Sequence, residues 1–221
     1  MTIFMKNIEF AKHEIVKIGQ RLHQKNMLAA ADGNISLKIS DEIILISPSG
    51  VSKGYIQAEQ IATITINNEI ISGHPSSERL MHLEIYKNCS EAKVVIHAHP
   101  PTAIAWSIAR PELKKLPSDC LSEVILACGE IPIVPYARPG TIEMGTVIKN
   151  FLPQYKAMIL ARHGALTWAS DLEEAYRGME RIENSAEILA KAFALGGLHP
   201  LPKEEIEYLY ELRKKIGNVL L

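Results

Sequence analysis

The arrangement of short apolar segments constrains the fold of this chain more than any other sequence feature. Residues 35–39 and 43–46 are two such segments separated by a short polar turn, a spacing that is typical of a β-hairpin. Later apolar segments, such as residues 94–99 and 158–161, are separated by stretches with helical character. The early strands follow one another as in a hairpin, and the later strands alternate with helices. This order predicts a mixed α/β fold whose sheet is not purely parallel.

Periodicity and capping signals place the individual elements. The predicted helices cover residues 6–26, 76–87, 102–109, 170–195 and 203–215. The predicted strands cover residues 35–39, 43–46, 62–66, 94–99, 131–136, 158–161 and 166–169. Because no linker rich in proline, glycine and serine divides the 221 residues, one domain over residues 1–221 is predicted.

Composition and charge narrow the classes of function. The chain has 24 basic and 25 acidic residues and a formal net charge of −1, so no global field favours nucleic acid or an anionic membrane. It has neither a signal-peptide pattern nor an apolar run of about 18 residues. Its three cysteines form no CxxC pair, which indicates a reducing compartment. We therefore expect a cytoplasmic protein without nucleic-acid or membrane partners.

A His-Ala-His sequence is the sharpest candidate for a functional site. His97 and His99 follow an apolar run, and side chains two residues apart on a strand lie on the same face. A third histidine, His163, closely follows another apolar segment, and Gly164 behind it leaves room for the imidazole to point inward. Three imidazoles with an open fourth position are typical of a catalytic zinc, but this spacing is equally compatible with unrelated histidines.

Six small or polar residues in turns and at a predicted helix N-terminus are candidate anion contacts: Gly33, Asn34, Ser49, Gly50, Ser76 and Ser77. Glycine turns and helix N-termini present free N–H groups to phosphate oxygens. The two helix serines could equally be ordinary caps. Glu78 would stand beside the anion and could reach the metal as a ligand or base. Lys53, just beyond the second turn, could assist in binding phosphate, although a solvated lysine is expected.

Taken in order, five short motifs resemble the class II aldolase/adducin family: Gly33-Asn34-Ile35-Ser36, Ser47-Pro48-Ser49-Gly50, Pro75-Ser76-Ser77-Glu78, His97-Ala98-His99 and His163-Gly164. Within that family the likeness is greatest to the aldolases that act on L-fuculose 1-phosphate. The resemblance implies a single α/β/α domain around a largely antiparallel central sheet. It also implies a homotetramer with active sites at subunit interfaces.

The resemblance further implies roles for the candidate residues. His97, His99 and His163 would hold one zinc ion per subunit, with Glu78 as the acid/base that also contacts the metal. The six turn and helix residues would bind the phosphate of a small sugar phosphate. The implied reaction is retro-aldol cleavage of a ketose 1-phosphate, similar to L-fuculose 1-phosphate, through an ene-diolate. Its products would be dihydroxyacetone phosphate and a short aldehyde.

Departures from the aldolase pattern keep an alternative open. The aldolases carry one tyrosine where this chain has Glu123 and another near the C-terminus, where it has Lys215-Ile216-Gly217. Glu123 resembles a catalytic glutamate of the methylthioribulose-1-phosphate dehydratases in the same superfamily, although it could equally be a surface acid of a helix. The alternative is therefore a dehydratase-like lyase with Glu123 as acid/base. The three histidines disfavour a non-catalytic adducin-like domain, and Glu78 disfavours a ribulose-phosphate-type epimerase.

Overall fold

The computed structural model describes residues 3–221, with side chains from residue 7 onward. The helices in this range are α1 (Ile3–Gln24), α2 (Arg79–Asn88), α3 (Pro101–Ala109), α4 (Ser122–Ala127), α5 (Ile142–Lys149), α6 (Leu172–Leu195) and α7 (Lys203–Ile216). The strands are β1 (Asn34–Lys38), β2 (Ile43–Ile46), β3 (Ala62–Thr65), β4 (Ile70–Ser72), β5 (Val94–Ala98), β6 (Ile133–Val134), β7 (Ala157–Leu160) and β8 (Gly164–Ala169). Short 3₁₀ turns lie at Ala58–Gln60 and Ser118–Cys120.

These strands form one sheet in the order β4-β3-β2-β1-β5-β8-β7-β6. Neighbouring strands pair antiparallel, except that β6 and β7 are parallel. The protein is thus a single α/β domain with a largely antiparallel central sheet, which confirms the predicted fold class. No helix in residues 3–221 combines the length and apolar character that crossing a membrane requires.

Alternating side chains of the central strand β5 explain the layered architecture. Val94 and Ile96 belong to a core cluster that also contains residues of α1, α3 and α6. Val95 belongs to a second cluster with residues of α2 and α5. Successive strand residues point to opposite faces, so helices cover both faces of the sheet. His97 has the same parity as Val95 and therefore lies on the face covered by α2.

The helix predicted over residues 76–87 begins later than expected. Pro75 pairs with Pro48 in an isolated antiparallel bridge, and the backbone N–H of Ser76 donates to the Ser47 carbonyl over 3.2 Å. These contacts hold residues 75–76 in an extended conformation, so α2 begins at Arg79. The bridge also brings two of the three predicted anion-binding segments, Ser49-Gly50 and Ser76-Ser77, side by side.

Three elements were not predicted: β4, α4 and α5. Helix α5 contains Gly145, which weakens its intrinsic helical signal. This glycine packs against α2, where an added Cβ would lie 3.6 Å from Glu84. Strand β4 has only three residues, all exposed, and its pairing with β3 is irregular. Tertiary contacts, which local sequence signals do not encode, therefore determine these short elements.

Candidate active site

The His-Ala-His segment lies at the end of the central strand. The Nε2 atoms of His97 and His99 are 3.1 Å apart, and the two ring centroids are 4.9 Å apart. Asn34 on the neighbouring strand β1 is paired with His97 in register, so its side chain emerges on the same face. The sheet thereby places an amide directly beside the first of the two imidazoles.

His163 reaches the same point from the turn between β7 and β8. Its ring centroid lies 4.7 Å from that of His97 and 5.2 Å from that of His99. Gly164 permits this approach, because an added Cβ would lie 2.5 Å from the Ala98 carbonyl oxygen and 2.8 Å from the His97 ring. One nitrogen from each histidine lies within 4.8 Å of the others, so the structure brings the three predicted metal ligands together.

A strained backbone turn immediately precedes His163. The preceding residue, Arg162, has φ of +60°, a left-handed conformation that is uncommon for a residue with a side chain. Its backbone N–H donates to the buried Ser107 hydroxyl over 2.8 Å. The hydroxyl of α3 thus helps to hold a strained turn immediately before the histidine, as is common at functional sites.

Polar contacts on the far sides of the rings, one to a backbone carbonyl and one to a carboxylate, orient two of the imidazoles. His97 Nδ1 lies 2.9 Å from the Ala165 carbonyl oxygen and must carry its proton to donate there. His99 Nδ1 lies 3.3 Å from Asp32 Oδ2. With protons on both Nδ1 atoms, the Nε2 lone pairs face the common centre, which is the arrangement that metal-ligating histidines use.

Glu78 completes the centre from the start of α2. Its Oε2 lies 3.3 Å from His97 Nε2, and its Oε1 lies 3.2 Å from His163 Nε2. Burial alone would raise the pKa of Glu78, but the neighbouring His163 and His97 imidazoles outweigh burial and hold that pKa well below its usual range. Burial, aided by the nearby His97, lowers the pKa of His99 to about 4. At neutral pH the centre therefore combines a carboxylate with a neutral His99, the protonation states that metal ligands need.

The donor set fits a divalent metal ion. Imidazole lone pairs 3.1 Å apart repel one another unless a cation or a shared proton lies between them. His163 Nδ1 and Glu78 Oε1 are buried and lack a hydrogen-bond partner. Nitrogen ligands with one carboxylate suit zinc and several other divalent transition metals.

A cavity of about 360 Å³ opens beside this centre. All six predicted phosphate contacts line it: Gly33, Asn34, Ser49, Gly50, Ser76 and Ser77. Glu78, His99 and His163 line it as well. The backbone of Gly33 has φ of +70°, and an added Cβ would lie 2.3 Å from Leu28, so this turn needs glycine. The cavity therefore combines small, amide-rich turns with the candidate metal ligands.

Asn34 makes a contact that the sequence did not indicate. Its Nδ2 donates to Glu78 Oε2 over 3.0 Å, while its Oδ1 is buried without a partner. The asparagine thus orients the carboxylate in addition to lining the cavity. Asp32, beside His99, and the turn at Pro139-Gly140 also line the cavity and were not predicted.

Lys53 was expected to be solvated, and this prediction is wrong. Its side chain is 1% exposed and lines the same cavity. Its backbone packs against α1, more than 30 positions earlier in the chain, where an added Cβ on Gly19 would lie 2.5 Å from the Lys53 carbonyl oxygen. Local sequence patterns around Lys53 do not indicate a contact with so distant a residue.

Glu123 is not brought to the cavity within one chain. It lies in the first turn of α4 and is exposed, and α4 packs against α6 and α7. A role for Glu123 in this site would require a neighbouring subunit, so its catalytic assignment stays a prediction.

A larger cavity of about 590 Å³ lies between the end of α1 and α6. Half of its lining residues are charged. They include Lys25 and Glu180, which form an ion pair with an N–O distance of 3.3 Å. None of the three clustered histidines lines it. The chemistry is therefore concentrated in the smaller cavity.

Comparison with known proteins identifies the family. The family model described as the class II aldolase and adducin N-terminal domain matches residues 13–190. The chain belongs to the class II aldolase/adducin family. Class II aldolases are generally metal-dependent, and the aldolases and decarboxylases among the relatives of this chain are lyases. This member is accordingly a metal-dependent lyase.

Two curated family members and one solved structure illustrate the similarity. A 3-oxo-tetronate 4-phosphate decarboxylase of Pectobacterium atrosepticum is 32% identical, over 84% of this chain and 85% of the relative. An L-fuculose phosphate aldolase of Methanococcus vannielii is 33% identical, over 79% of this chain and 93% of the relative. The crystal structure of YgbL from Escherichia coli superposes with a TM-score of 0.85 and 26% identity, covering 92% of this chain and 99% of that one.

Proposed function

We propose that this protein is a zinc-dependent lyase that acts on a phosphorylated sugar or sugar acid with a ketone group. It would break the bond between the carbons α and β to that ketone and form dihydroxyacetone phosphate. The observation that carries the proposal is the convergence of three imidazoles and Glu78 on one side of a cavity lined by amide-rich turns. Such a cavity can bind a phosphate while the reacting carbon lies near the carboxylate.

The metal would be held by His97, His99 and His163, leaving room for substrate oxygens as in catalytic zinc sites. When bound, the ion supplies Lewis-acid stabilisation of negative charge on the oxygens of the substrate. Three neutral imidazoles favour zinc but also bind other divalent metals. The identity and amount of bound metal should therefore be measured in every test.

Glu78 would transfer the proton to carbon. Its carboxyl lies within 3.3 Å of two ligand imidazoles, and Asn34 fixes one of its oxygens. A positioned carboxyl group acts as a general acid and base when it reaches the reacting carbon. Breaking the bond leaves an electron pair on the carbon beside the ketone, and protonation of this carbon by Glu78 completes the reaction.

Decarboxylation of a 3-oxo sugar acid phosphate is the first candidate reaction. In 3-oxo-tetronate 4-phosphate, the bond between C1 and C2 breaks, its electron pair stays on C2, and C1 leaves as carbon dioxide. Protonation of C2 gives dihydroxyacetone phosphate. The decarboxylase relative covering 84% of this chain supports this choice, and so does the need for only one proton transfer, which Glu78 alone can perform.

Aldol cleavage of a ketose 1-phosphate is the second candidate, supported by the 33% identical aldolase. Here the bond between C3 and C4 breaks, the electron pair stays on C3, and the C4 hydroxyl loses its proton as the aldehyde forms. This second proton transfer needs a further group. Glu123 of a neighbouring subunit could supply it if, as we propose, the protein is a homotetramer with interface active sites. The dehydratase-like alternative would use Glu123 in the same way.

Product analysis tests these assignments. Metal-quantified protein is incubated separately with 3-oxo-tetronate 4-phosphate and L-fuculose 1-phosphate, and the products are followed by NMR. Dihydroxyacetone phosphate with carbon dioxide from the first substrate supports decarboxylation, and dihydroxyacetone phosphate with lactaldehyde from the second supports aldol cleavage. Loss of water without dihydroxyacetone phosphate would replace both with the dehydratase-like reaction. If protein with bound metal converts neither compound, the proposal that they are its substrates is contradicted.

A further inference from the structure

Lys53 is a buried cation without a carboxylate partner in the part of the chain that the structure describes. Its side chain is 1% exposed, and its Nζ donates one hydrogen bond, 2.5 Å long, to the Ala31 carbonyl oxygen. Burial lowers the pKa of Lys53, whereas the negative charges of Asp32 and Glu78 act in the opposite direction. Burying an ammonium group is costly unless a counter-charge is supplied.

The fold holds Lys53 firmly in this position. An added Cβ on Gly19 would lie 2.5 Å from the Lys53 carbonyl oxygen, so α1 packs directly against its backbone. The next residue, Gly54, is equally close to α1, since an added Cβ would lie 2.5 Å from the His23 ring. These contacts fix the backbone at Lys53, so the side chain starts from a rigid position at the edge of the cavity.

The surroundings of Lys53 identify the type of ligand. Its cavity also contains the turns at Gly33-Asn34 and Ser49-Gly50, whose backbone amides suit an anion. An ammonium group has three N–H donors, and the bond to Ala31 uses only one of them. Lysine is a common phosphate ligand because it supplies a compact positive charge.

We propose that Lys53 is a substrate-binding residue that makes the charged contact to the phosphate group and selects phosphorylated over unphosphorylated substrates. The inference rests on the proposed function, because the phosphate is that of the proposed substrate. The bond to Ala31 holds the ammonium group beside the Gly33 turn, and the two remaining N–H groups face the anion. The neutral turns then supply shape and hydrogen bonds, and Lys53 supplies the charge.

Direct binding of inorganic phosphate to metal-loaded protein tests this assignment without turnover. Lys53→Gln keeps a polar side chain with N–H donors, whereas the positive charge is lost. We expect phosphate affinity, measured by isothermal titration calorimetry, to fall about 10- to 100-fold with metal content unchanged. The matched control Lys87→Gln removes an exposed lysine of α2 and should leave phosphate affinity unchanged.

Other outcomes separate this inference from the lyase proposal. Equal phosphate affinity in Lys53→Gln and wild-type protein would overturn the role of Lys53 and leave the lyase proposal standing. Absence of phosphate binding by the wild-type protein would also overturn the role of Lys53. The lyase proposal would still be tested separately by product analysis.

A measurement on the wild-type protein covers the case in which Lys53→Gln does not fold. In protein with ¹³C-labelled lysine, the signal with the lowered pKa should titrate at higher pH when phosphate is added. A signal that phosphate does not move would contradict the inference.

Discussion

Asn34 Nδ2 donates a 3.0 Å hydrogen bond to Glu78 Oε2, which links the first turn of the anion cavity to the carboxylate of the metal centre. The two residues are 44 positions apart in the sequence. The bond fixes one carboxylate oxygen and leaves the other beside His163. Under the proposed function, this single side chain would couple the bound phosphate to the carboxylate that transfers the proton.

Removing this bond should impair catalysis more than folding. A hydrogen bond to a charged group contributes about 1.5–3 kcal/mol, so we expect Asn34→Ala to lower kcat about 10- to 100-fold with metal still bound. Asn88→Ala is the matched control, since Asn88 donates to Glu84 over 2.8 Å near the other end of α2. Equal kcat values for wild type and Asn34→Ala would show that the bond does not position Glu78.

Gly164→Ala should weaken metal binding. The added Cβ would lie 2.5 Å from the Ala98 carbonyl oxygen and 2.9 Å from the His99 ring, so the ligand histidines must shift. Displaced ligands commonly cost about 10- to 100-fold in metal affinity. Competition with a chromogenic chelator measures this change. Gly145→Ala, whose Cβ would meet Glu84 at an ordinary 3.6 Å, should keep wild-type affinity, and a normal affinity in Gly164→Ala would contradict the geometry.

A buried ion pair that does not line the cavity should contribute strongly to stability. Lys156 Nζ lies 3.1 Å from Glu174 Oε1, and the two side chains are 5% and 4% exposed. Glu174 also accepts hydrogen bonds from Ser170 and from the backbone N–H of Leu220. Removing one partner of a buried pair costs about 3–5 kcal/mol, so Glu174→Ala should lower the free energy of unfolding in urea by that amount.

The control for this change is an exposed pair. Lys191 and Glu187 form an ion pair on the surface of α6, with side chains 68% and 50% exposed. Glu187→Ala should change the free energy of unfolding by less than about 1 kcal/mol. Similar losses for the two variants would mean that the Lys156–Glu174 pair has no special structural role.

Burial of His82 predicts a specific pH dependence of stability. Burial lowers the pKa of His82 from 6.5 to about 3, with the charge of His97 acting in the same direction. Between these values the unfolded chain binds a proton that the folded chain does not, so stability is lost as pH falls from 6.5 towards 3. One such proton contributes a slope of about 1.4 kcal/mol per pH unit.

Replacing His82 should remove this slope. We expect the free energy of unfolding of metal-free His82→Gln to fall less steeply than that of metal-free wild type between pH 6 and pH 4, by about 1.4 kcal/mol per pH unit. Denaturant titrations at several pH values give both slopes. Parallel curves would contradict the buried, neutral state of His82, whose Nδ1 lies 2.7 Å from the Ser36 hydroxyl.

The sequence was informative where structure depends on local patterns. The period of two at residues 94–99 indicated a strand with His97 and His99 on one face, and the structure places both beside His163. The glycine turns at residues 33 and 50 were recognisable because their backbone conformations require a positive φ.

Features that depend on distant contacts could not be predicted in this way. The close packing of the Lys53 backbone on Gly19 joins distant parts of the chain, and the late start of α2 follows from the bridge between Pro48 and Pro75. The hydrogen bond between Asn34 and Glu78 joins two motifs that were recognised separately. The sequence therefore indicated which residues could carry the chemistry, and the three-dimensional structure was needed to show how they contact one another.

Proton exchange at dihydroxyacetone phosphate tests the central claim most directly, because both candidate reactions share its protonation step. Metal-loaded protein in deuterium oxide should replace one hydroxymethyl proton with deuterium, as followed by NMR. Exchange should be absent in the Glu78→Gln variant that retains its metal. In the wild-type protein, exchange should stop when the metal is removed by a chelator and return when zinc is added. Exchange that persists in metal-loaded Glu78→Gln, or no exchange by the metal-loaded wild type, would contradict the assignment of Glu78 as the group that transfers the proton beside the metal.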